Sequence, residues 1–213
     1  TKKESQEEAK GEKTTFTVGF DAEYPPYGYM DENGEYNGFD LELAEAVCEL
    51  EGWELVKKPI NWDSKDMELN SGSIDCIWNG FTMNGREEEY TFSVPYVDNS
   101  QVIVVAKDAG IEKLADLAGK TVGVQAASAA LDVLQSEEGQ KALADTFAAL
   151  NEFADYNTAF TELQAGALDA LAIDIGVAQY QLKSRGEGYQ ILEETLNTEQ
   201  YAIGFKKGNQ ELC

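Results

Sequence analysis

Three residues stand out because their types and places in the sequence suit the binding of charged groups. Arg86 is one of only two arginines in the chain, and a guanidinium can hold an anion through two parallel hydrogen bonds. Ser128 precedes a predicted helix, where unpaired backbone N–H groups favour an anion, although it equally suits an ordinary N-cap. Asp174 follows the apolar run 171–173 (LAI) and precedes another predicted helix, so it suits a functional carboxylate or an N-cap. Arg86 could alternatively pair at the surface with residues 87–89 (EEE).

Acid–base and metal chemistry have few candidates in this sequence. The chain has no histidine, which removes the usual general base and the commonest metal ligand. Its three cysteines show no CxxC or other metal-binding spacing, so the sequence predicts neither a metal nor a cofactor. Without a GxSxG turn either, catalysis would fall to Asp21, Glu23 or Asp174.

The charge balance excludes several classes of partner. The 213 residues carry 16 Lys and Arg against 40 Asp and Glu, a net charge of −24. Phosphate backbones and anionic lipid surfaces repel such a chain, so neither nucleic acid nor a membrane surface is an expected partner. No apolar run approaches the roughly 18 residues that a membrane-spanning helix needs.

Strand-like and helix-like segments alternate along most of the chain. Residues 1–13 are polar and charged, and we expect a disordered tether there. Strands are predicted at 16–20, 53–56, 74–78, 101–106, 121–124, 152–154, 170–173 and 201–205, and helices at 40–50, 65–71, 111–117, from 128, at 158–165 and after 174. In the first helix, Asp40 suits the N-cap, and Leu43, Val47 and Leu50 share one face. This alternation predicts an α/β fold with parallel sheets covered on both faces.

A strand–helix–strand–helix–strand unit occurs twice, around residues 16–78 and around residues 121–174, and predicts two similar lobes. We expect the first lobe to comprise residues 14–103 and 203–213, and the second lobe residues 104–202. The runs 102–106 and 201–205 would then cross between the lobes, with Val104 and Ala202 near the hinge.

Seven short motifs, in this order and spacing, carry a resemblance to a known family. They are residues 18–27 (VGFDAEYPPY), 38–40 (GFD), 74–75 (ID), 80–82 (GFT), 92–96 (FSVPY), 116–125 (DLAGKTVGVQ) and 166–170 (GALDA). From about residue 16 to residue 209, the chain resembles the family-3 bacterial solute-binding proteins, which are polar amino-acid-binding proteins of ABC transporters.

The resemblance implies a fold, a ligand and partners. It implies a two-lobed, type II periplasmic-binding-protein-like fold whose lobes close over a free amino acid, with arginine or lysine favoured and glutamine or cystine next. The implied partners are the membrane subunits of an ABC importer, and the implied location is extracytoplasmic, in the periplasm or as a cell-surface lipoprotein. Relatives continue past the position of Gly208 with helices on the first lobe, so we expect exposed apolar surface there.

The resemblance also assigns the two ends of the amino acid. Arg86 would hold its carboxylate, with Thr82 donating beside it, although these two residues lie one position closer than is common in relatives. Ser128 would close onto the same carboxylate from the second lobe. Asp174 and the carbonyl of Gly80 would take the ammonium.

The remaining implied contacts concern the ligand side chain. Tyr24 and Trp62 match the aromatic positions that sandwich it in relatives, and Asp21, Asn79 and Gln125 would set specificity. The full set of predicted ligand-binding residues is Asp21, Tyr24, Trp62, Asn79, Gly80, Phe81, Thr82, Arg86, Gln125, Ser128 and Asp174. Two alternatives share this fold: the sensor domain of a receptor, and an enzyme of the dehydratase branch.

Overall fold

The computed structural model describes residues 14–213, and the predicted tether at residues 1–13 lies outside them. The first lobe contains β1 (Thr15–Phe20), β2 (Glu23–Tyr24), β3 (Gly28–Met30), β4 (Tyr36–Asn37), α1 (Phe39–Glu51), β5 (Glu54–Pro59), α2 (Lys65–Ser71), β6 (Cys76–Ile77) and β7 (Tyr90–Phe92). The second contains β8 (Val97–Ala106), β9 (Thr121–Gln125), α3 (Ala129–Gln135), α4 (Lys141–Ala144), β10 (Ala149–Phe153), α5 (Tyr156–Gln164), β11 (Ala170–Asp174), α6 (Ile175–Arg185), β12 (Tyr189–Ile191) and β13 (Asn197–Tyr201). The chain then returns to the first lobe as β14 (Gly204–Lys206).

Each lobe is built on its own sheet. The first sheet has the order β5-β1-β6-β14-β7, in which β1 runs parallel to β5 and β6 while β14 is antiparallel to its neighbours. The second has the order β10-β9-β11-β8-β12, and β13 pairs with β8. A small sheet of β2, β3 and β4 lies beside them. The α/β, two-lobed architecture predicted from the sequence is therefore confirmed.

Two antiparallel strand segments connect the lobes. The first half of β8, residues 97–101, pairs with β13, whereas the second half pairs with β11 and β12 inside the second sheet. Val104 itself pairs with Leu171 and Ile191. Because Val104 is thus built into the second sheet, we propose that the lobe boundary on this strand lies nearer Gln101 than residue 104.

The first helix faces the core differently from the sequence prediction. It buries its small and medium-sized residues, which are Leu41, Ala44 and Cys48, in the cluster that contains β1 and Cys76. The predicted face is wrong, because Val47 is exposed and Leu50 is 86% exposed. Small side chains at positions 44 and 48 let the helix approach the sheet closely, and this close packing overrides the larger stripe.

Single apolar side chains are exposed on the first lobe. Val47 and Leu50 project from α1, and Val56 lies exposed on β5.

None of the helices formed by residues 14–213 combines the length and apolar character that a membrane crossing requires. A segment at 111–117 that was predicted to be helical forms only a 3₁₀ turn, at Leu114–Leu117.

Asp40 does not cap α1, and this prediction is wrong. The N-cap is Gly38, and Asp40 is fully buried one residue inside the helix. Its carboxylate accepts hydrogen bonds from the backbone N–H of Gly80 at 2.5 Å and from the hydroxyl of Tyr96 at 2.8 Å. The side chain of Asp40 points inward rather than back along the helix axis. Through these hydrogen bonds it fixes the Gly80 loop to the helix.

Stability should depend on the protonation of Asp40. Burial raises the pKa of Asp40 to about 7, from 3.8, although the hydrogen bonds from Tyr96 and Gly80 oppose the rise. Since the folded state then binds a proton that the unfolded state releases, this contribution to stability is lost as pH rises from about 4 to about 7. We expect the melting temperature of the unliganded protein to fall between pH 6 and 7.5, and to fall less in Asp40→Asn.

The matched control is Glu49→Gln, which changes an exposed acid on the same helix. Thermal unfolding followed by circular dichroism at several pH values measures the difference. An Asp40→Asn protein with the same pH slope as wild type and Glu49→Gln would contradict this role.

Candidate functional site

A cavity between the two lobes gathers most of the predicted site. Including its open mouth, the cavity has a volume of about 280 Å³. Its walls are formed by Asp21, Tyr24, Trp62, Asn79, Gly80, Thr82 and Arg86 of the first lobe and by Gln125, Ser128, Ala129 and Asp174 of the second. Phe81 is the one predicted residue outside this wall. What each residue contacts in a ligand stays a prediction.

The ends of parallel strands position these side chains. Asp21 follows β1, and Asn79 follows β6, two strands that are paired in the first sheet. In the second sheet, Gln125 ends β9 and Asp174 ends the neighbouring β11. The carboxyl ends of parallel strands meet at one edge of a sheet, which is where α/β proteins bind ligands. Both sheets thus direct polar groups into the same cleft.

Gly80 has to be glycine for this geometry. Its φ is 55°, in the left-handed region that L side chains rarely adopt. A Cβ at this position would lie 3.0 Å from ring carbons of Tyr24 and of Tyr201. The loop can therefore bring its backbone to the cavity wall only without a side chain.

Arg86 is buried at the rim of the cavity, and the alternative of a surface pair with Glu87–Glu89 is wrong. The residue is 9% exposed, and one terminal nitrogen donates to the carbonyl of Thr82 at 3.2 Å. The other donates to the carboxylate of Asp132 in the second lobe at 3.0 Å. Phe81 packs behind the guanidinium, whose carbon is 5.0 Å from the ring centre. Phe81 thus supports Arg86 and does not line the cavity.

Asp174 is held by a network of uncharged donors. Its Oδ2 accepts hydrogen bonds from Tyr201 at 2.6 Å and from the side-chain amides of Asn99 and Gln101, each at 2.9 Å. Asp174 occupies the N-cap position of α6, as the alternative interpretation predicted, but its carboxylate makes no capping hydrogen bond to the helix. Burial, reinforced by the nearby charge of Glu199, raises the pKa of Asp174 to about 6.

Asp21 joins the two lobes at the other end of the cavity. Its Oδ1 accepts from the N–H of Glu23 and its Oδ2 from the side-chain amide of Gln125, both at 2.8 Å. The side-chain amide oxygen of Asn79 accepts from the backbone N–H of Asp21 at 3.1 Å. Burial, with smaller contributions from the charges of Asp155 and Glu23, raises the pKa of Asp21 to about 6. A cation placed here would favour the ionised form.

Ser128 and Thr82 already have hydrogen-bond partners within the protein. The hydroxyl oxygen of Ser128 accepts from the N–H of Leu131, so the N-cap interpretation holds for this residue. The hydroxyl of Thr82 donates to Glu199 at 2.6 Å. A threonine hydroxyl has a single proton, so in this arrangement Thr82 faces a ligand carboxylate without one to donate.

Several cross-lobe contacts close the cleft. The carbonyl oxygen of Ala127 accepts from the indole N–H of Trp62 at 3.2 Å and from the ammonium of Lys65 at 3.4 Å. Ala127 has a φ of 54°, and it is the one non-glycine residue among 14–213 with positive φ. This strained conformation turns its carbonyl toward the first lobe. Elsewhere, Tyr27 of the first lobe packs on Gly176 of α6 so closely that a Cβ would lie 2.4 Å from the hydroxyl oxygen.

Sequence reasoning missed the residues that support the site from the crossing strands. Asn99 and Gln101 on β8 and Asn197, Glu199 and Tyr201 on β13 face the same network. The signal was available, because polar or aromatic side chains at every second position of a strand share one face. These residues fall between the family motifs, so the resemblance assigns them no role.

Two α/β lobes joined by two strands, with charged groups of both signs facing one shared cavity, define a small-solute-binding protein of the clamp type. The comparison with known families agrees. The chain belongs to the bacterial extracellular solute-binding proteins, family 3, whose family profile matches residues 16–213.

Individual relatives cover most of the chain. It is 36% identical to a substrate-binding protein of an ABC uptake transporter from Streptococcus pneumoniae, solved with bound histidine, with a TM-score of 0.88 over 93% of this chain and 82% of that one. It is 30% identical to the arginine-binding extracellular protein ArtP of Bacillus subtilis (strain 168), over 93% of this chain and 76% of that protein. It is 29% identical to the L-cystine-binding protein TcyJ of Escherichia coli (strain K12), over 94% of this chain and 74% of that protein.

The contact between Tyr27 and Gly176 predicts a variant that folds well but closes poorly. Gly176→Ala should keep or raise the melting temperature, because alanine in a helix is favoured over glycine by about 0.5–1 kcal/mol. The added methyl group should nevertheless hold the lobes apart. Small-angle scattering, with each amino acid that compacts the wild type, should show a larger radius of gyration for the variant.

Gly188→Ala is the matched control, since a Cβ at Gly188 meets no atom within 4 Å. If Gly176→Ala compacts as fully as the control, the Tyr27 contact does not limit closure.

Proposed function

We propose that this protein captures a free polar L-amino acid in the inter-lobe cavity and delivers it to an ABC importer. The observation that carries the proposal is the pairing of Arg86 and Asp174 on one cavity from opposite lobes. A zwitterion needs a cation for its carboxylate and an anion for its ammonium, because each charge is costly to bury alone. The two residues supply these charges from lobes that can close over the ligand.

The ammonium end has the better-defined support. Asp174 is 4% exposed and is oriented by three donors on the crossing strands. The Gly80 loop, which Asp40 holds in place, offers the backbone carbonyl that we assign to the same ammonium. At the carboxylate end, Arg86 would turn one or both of its donors from Thr82 and Asp132 to the ligand.

We favour arginine or lysine as the ligand, followed by glutamine or cystine. Asp21 is a buried carboxylate at the cavity wall and belongs to none of the four ion pairs formed by residues 14–213. A cationic side chain would complement it, and Trp62 and Tyr24 offer ring faces for the aliphatic stem. The relative named as an arginine-binding protein supports this order. One relative is named as a cystine-binding protein and another was solved with bound histidine, so other polar amino acids remain candidates.

We further propose that the protein acts outside the cytoplasm as a binder without turnover, and that it meets the membrane subunits of its importer in the closed form. The family description as extracellular solute-binding proteins supports this location. Attachment by an N-terminal lipid and closure by a hinge in the crossing strands belong to the same proposal. The buried acids of the site are occupied by structural hydrogen bonds, which suits the orientation of a ligand better than proton transfer.

A thermal-shift screen of the twenty amino acids with cystine and ornithine tests the function directly. Ligands that raise the melting temperature should then be measured by isothermal titration calorimetry. We expect at least one polar amino acid to bind and to be recovered unchanged. A protein stabilised by none of these compounds, or one that converts them, would contradict the proposal.

Arg86 and Asp174 should each be required for affinity. Removing one partner of a buried charge pair costs about 2–5 kcal/mol, which is a loss of roughly 30- to several-thousand-fold in affinity. We expect Arg86→Ala and Asp174→Ala both to lose affinity in this range, as measured by calorimetry with the best ligand.

Arg185→Ala is the control, because the second arginine lies on α6, stacked on Phe160 and bonded to Gln164 and Gln181. Its affinity should stay within about threefold of wild type. Binding by Arg86→Ala within the same limit would refute the carboxylate assignment.

Asp21 should decide between cationic and neutral side chains. Asp21→Asn should weaken arginine or lysine far more than glutamine, because only a cation gains from the ionised carboxylate. Arginine affinity should also fall as pH drops below about 6, where Asp21 takes up a proton. Equal losses for all ligands, measured by calorimetry at pH 7.5, would mean that Asp21 acts only through its bond to Gln125.

A further inference from the structure

A second buried carboxylate lies beside Asp174. Glu199 is 5% exposed on β13, where it is paired with Asn99 of β8. Gln101, two residues further along β8, is paired with Asp174 of β11. Side chains that face each other across strands lie on the same side of a sheet. The registers of the three strands thus deliver two acids and two amides to one place.

Both amides bridge the two acids. The side-chain nitrogens of Asn99 and Gln101 each donate to Glu199 Oε1 at 2.7 Å and to Asp174 Oδ2 at 2.9 Å. Their carbonyl oxygens are buried without any hydrogen-bond partner among the described residues. In this orientation both NH₂ groups face the carboxylates, while both amide oxygens are left without a partner. Forgoing two hydrogen bonds in this way indicates that the negative charge of the acids sets the orientation of the amides.

No lysine or arginine among the described residues pairs with either acid. None of the four ion pairs formed by residues 14–213 includes Asp174 or Glu199. The titratable groups that face Asp174 are Glu199 and Tyr201 of β13, Tyr24 and Tyr27 of the β2 region, and Tyr156 of α5. Burial raises the pKa of every one of these tyrosines, so they stay neutral and Glu199 supplies the charge. Glu199 is otherwise bonded to uncharged Thr82 and Asn197.

We propose that Glu199 is a positioning residue of the ammonium site: with Asp174 it forms a carboxylate pair that, in mildly acidic solution, keeps one proton in the unliganded protein and releases it when an amino acid binds. The inference rests on the proposed function. The ligand ammonium stays charged throughout, and the proton leaves a carboxylic acid O–H for the solvent. Amino-acid capture is therefore coupled to pH.

The sign of the coupling follows from the two carboxylates. Like charges that share a buried site resist simultaneous ionisation, and a bound ammonium removes that resistance. The pKa of Asp174, about 6 without a ligand, should fall on binding, so affinity rises with pH and levels off above about 6. Below the pKa, each pH unit weakens binding about tenfold, so wild type should bind L-glutamine, which gains nothing from an ionised Asp21, about tenfold more weakly at pH 5 than at pH 7.5.

The pair also reaches the first lobe. Thr82 donates to Glu199 from the loop that carries Arg86, whereas Asp174 ends a strand of the second lobe. Glu199 lies on a strand that crosses between the lobes. It contacts Thr82 of the first lobe directly, and it is linked to Asp174 of the second lobe through Asn99 and Gln101. The proton on the pair is therefore placed where both lobes meet.

Calorimetry in two buffers of different ionisation enthalpy tests the proposal, with L-arginine and L-glutamine as probes from pH 5 to pH 7.5. Glu199→Gln keeps the size of the side chain and removes its charge. With L-glutamine, we expect its pH midpoint to shift at least about half a unit toward acid, leaving an affinity loss of about fourfold or less between pH 7.5 and pH 5. Its proton release near pH 6 should fall correspondingly.

Glu193→Gln, an exposed acid of the preceding loop, is the charge-matched control and should behave as wild type. Asp21 is present in all three proteins, so its own titration cancels in the comparison. A uniform affinity loss at every pH, or an unchanged midpoint in Glu199→Gln, would overturn the proposal. Failure of wild type to bind any amino acid would instead refute the proposed function, and the inference with it.

A measurement on the wild-type protein covers the case in which Glu199→Gln does not fold. Carboxyl ¹³C resonances of the pair, followed by NMR, should titrate near pH 6 without a ligand and not above pH 5 when the protein is saturated. Identical titrations in the two states would show that no proton is exchanged for the ligand.

Discussion

Buried charge without a partner inside the protein is the constraint on which this structure depends. Asp21 and Asp174 are nearly inaccessible to water, and neither is matched by a lysine or arginine among residues 14–213. Such groups cost several kcal/mol unless donors or a ligand compensate them. The hydrogen bonds from Gln125, Tyr201 and the strand amides provide partial compensation. In the function that we propose, a charged ligand supplies the rest, which would tie recognition to the electrostatics of the fold.

The antiparallel pair of β8 and β13 serves two purposes at once. As the connection between the lobes, it is where relative motion has to be absorbed. As a polar face, it carries the amides and the carboxylate that hold Asp174. A strand pair fixes cross-strand neighbours to within a fraction of an ångström, so it can orient a carboxylate more firmly than a loop can. In the function that we propose, closure of the lobes and ammonium binding therefore depend on the same residues.

Closure also depends on backbone features at opposite sides of the cleft. The strained Ala127 presents its carbonyl to Trp62 and Lys65, and Gly176 leaves room for Tyr27. The hydrogen bonds to the Ala127 carbonyl attract the two lobes at the cost of local backbone strain. The absence of a side chain at Gly176 leaves room for the ring of Tyr27. Tyr27 also packs, with Tyr24, in the hydrophobic cluster that contains Val104 and Tyr156 of the second lobe, so this contact belongs to a core that spans the cleft.

The alternation of strands and helices was enough to predict two α/β lobes, and the motifs identified the family. Ten of the eleven predicted ligand-binding residues line the inter-lobe cavity, and their contacts with a ligand stay a prediction. These features are local, because strand ends and loops in a known order meet at a known edge of a sheet. The roles of Asp40, Phe81 and Glu199 were decided only by the tertiary structure. Asp40 suited an N-cap in the sequence and turned inward to the Gly80 loop, while Glu199 met Asp174 only through the register of three strands. Side-chain direction and strand register depend on packing between distant segments, and a single sequence does not encode them locally.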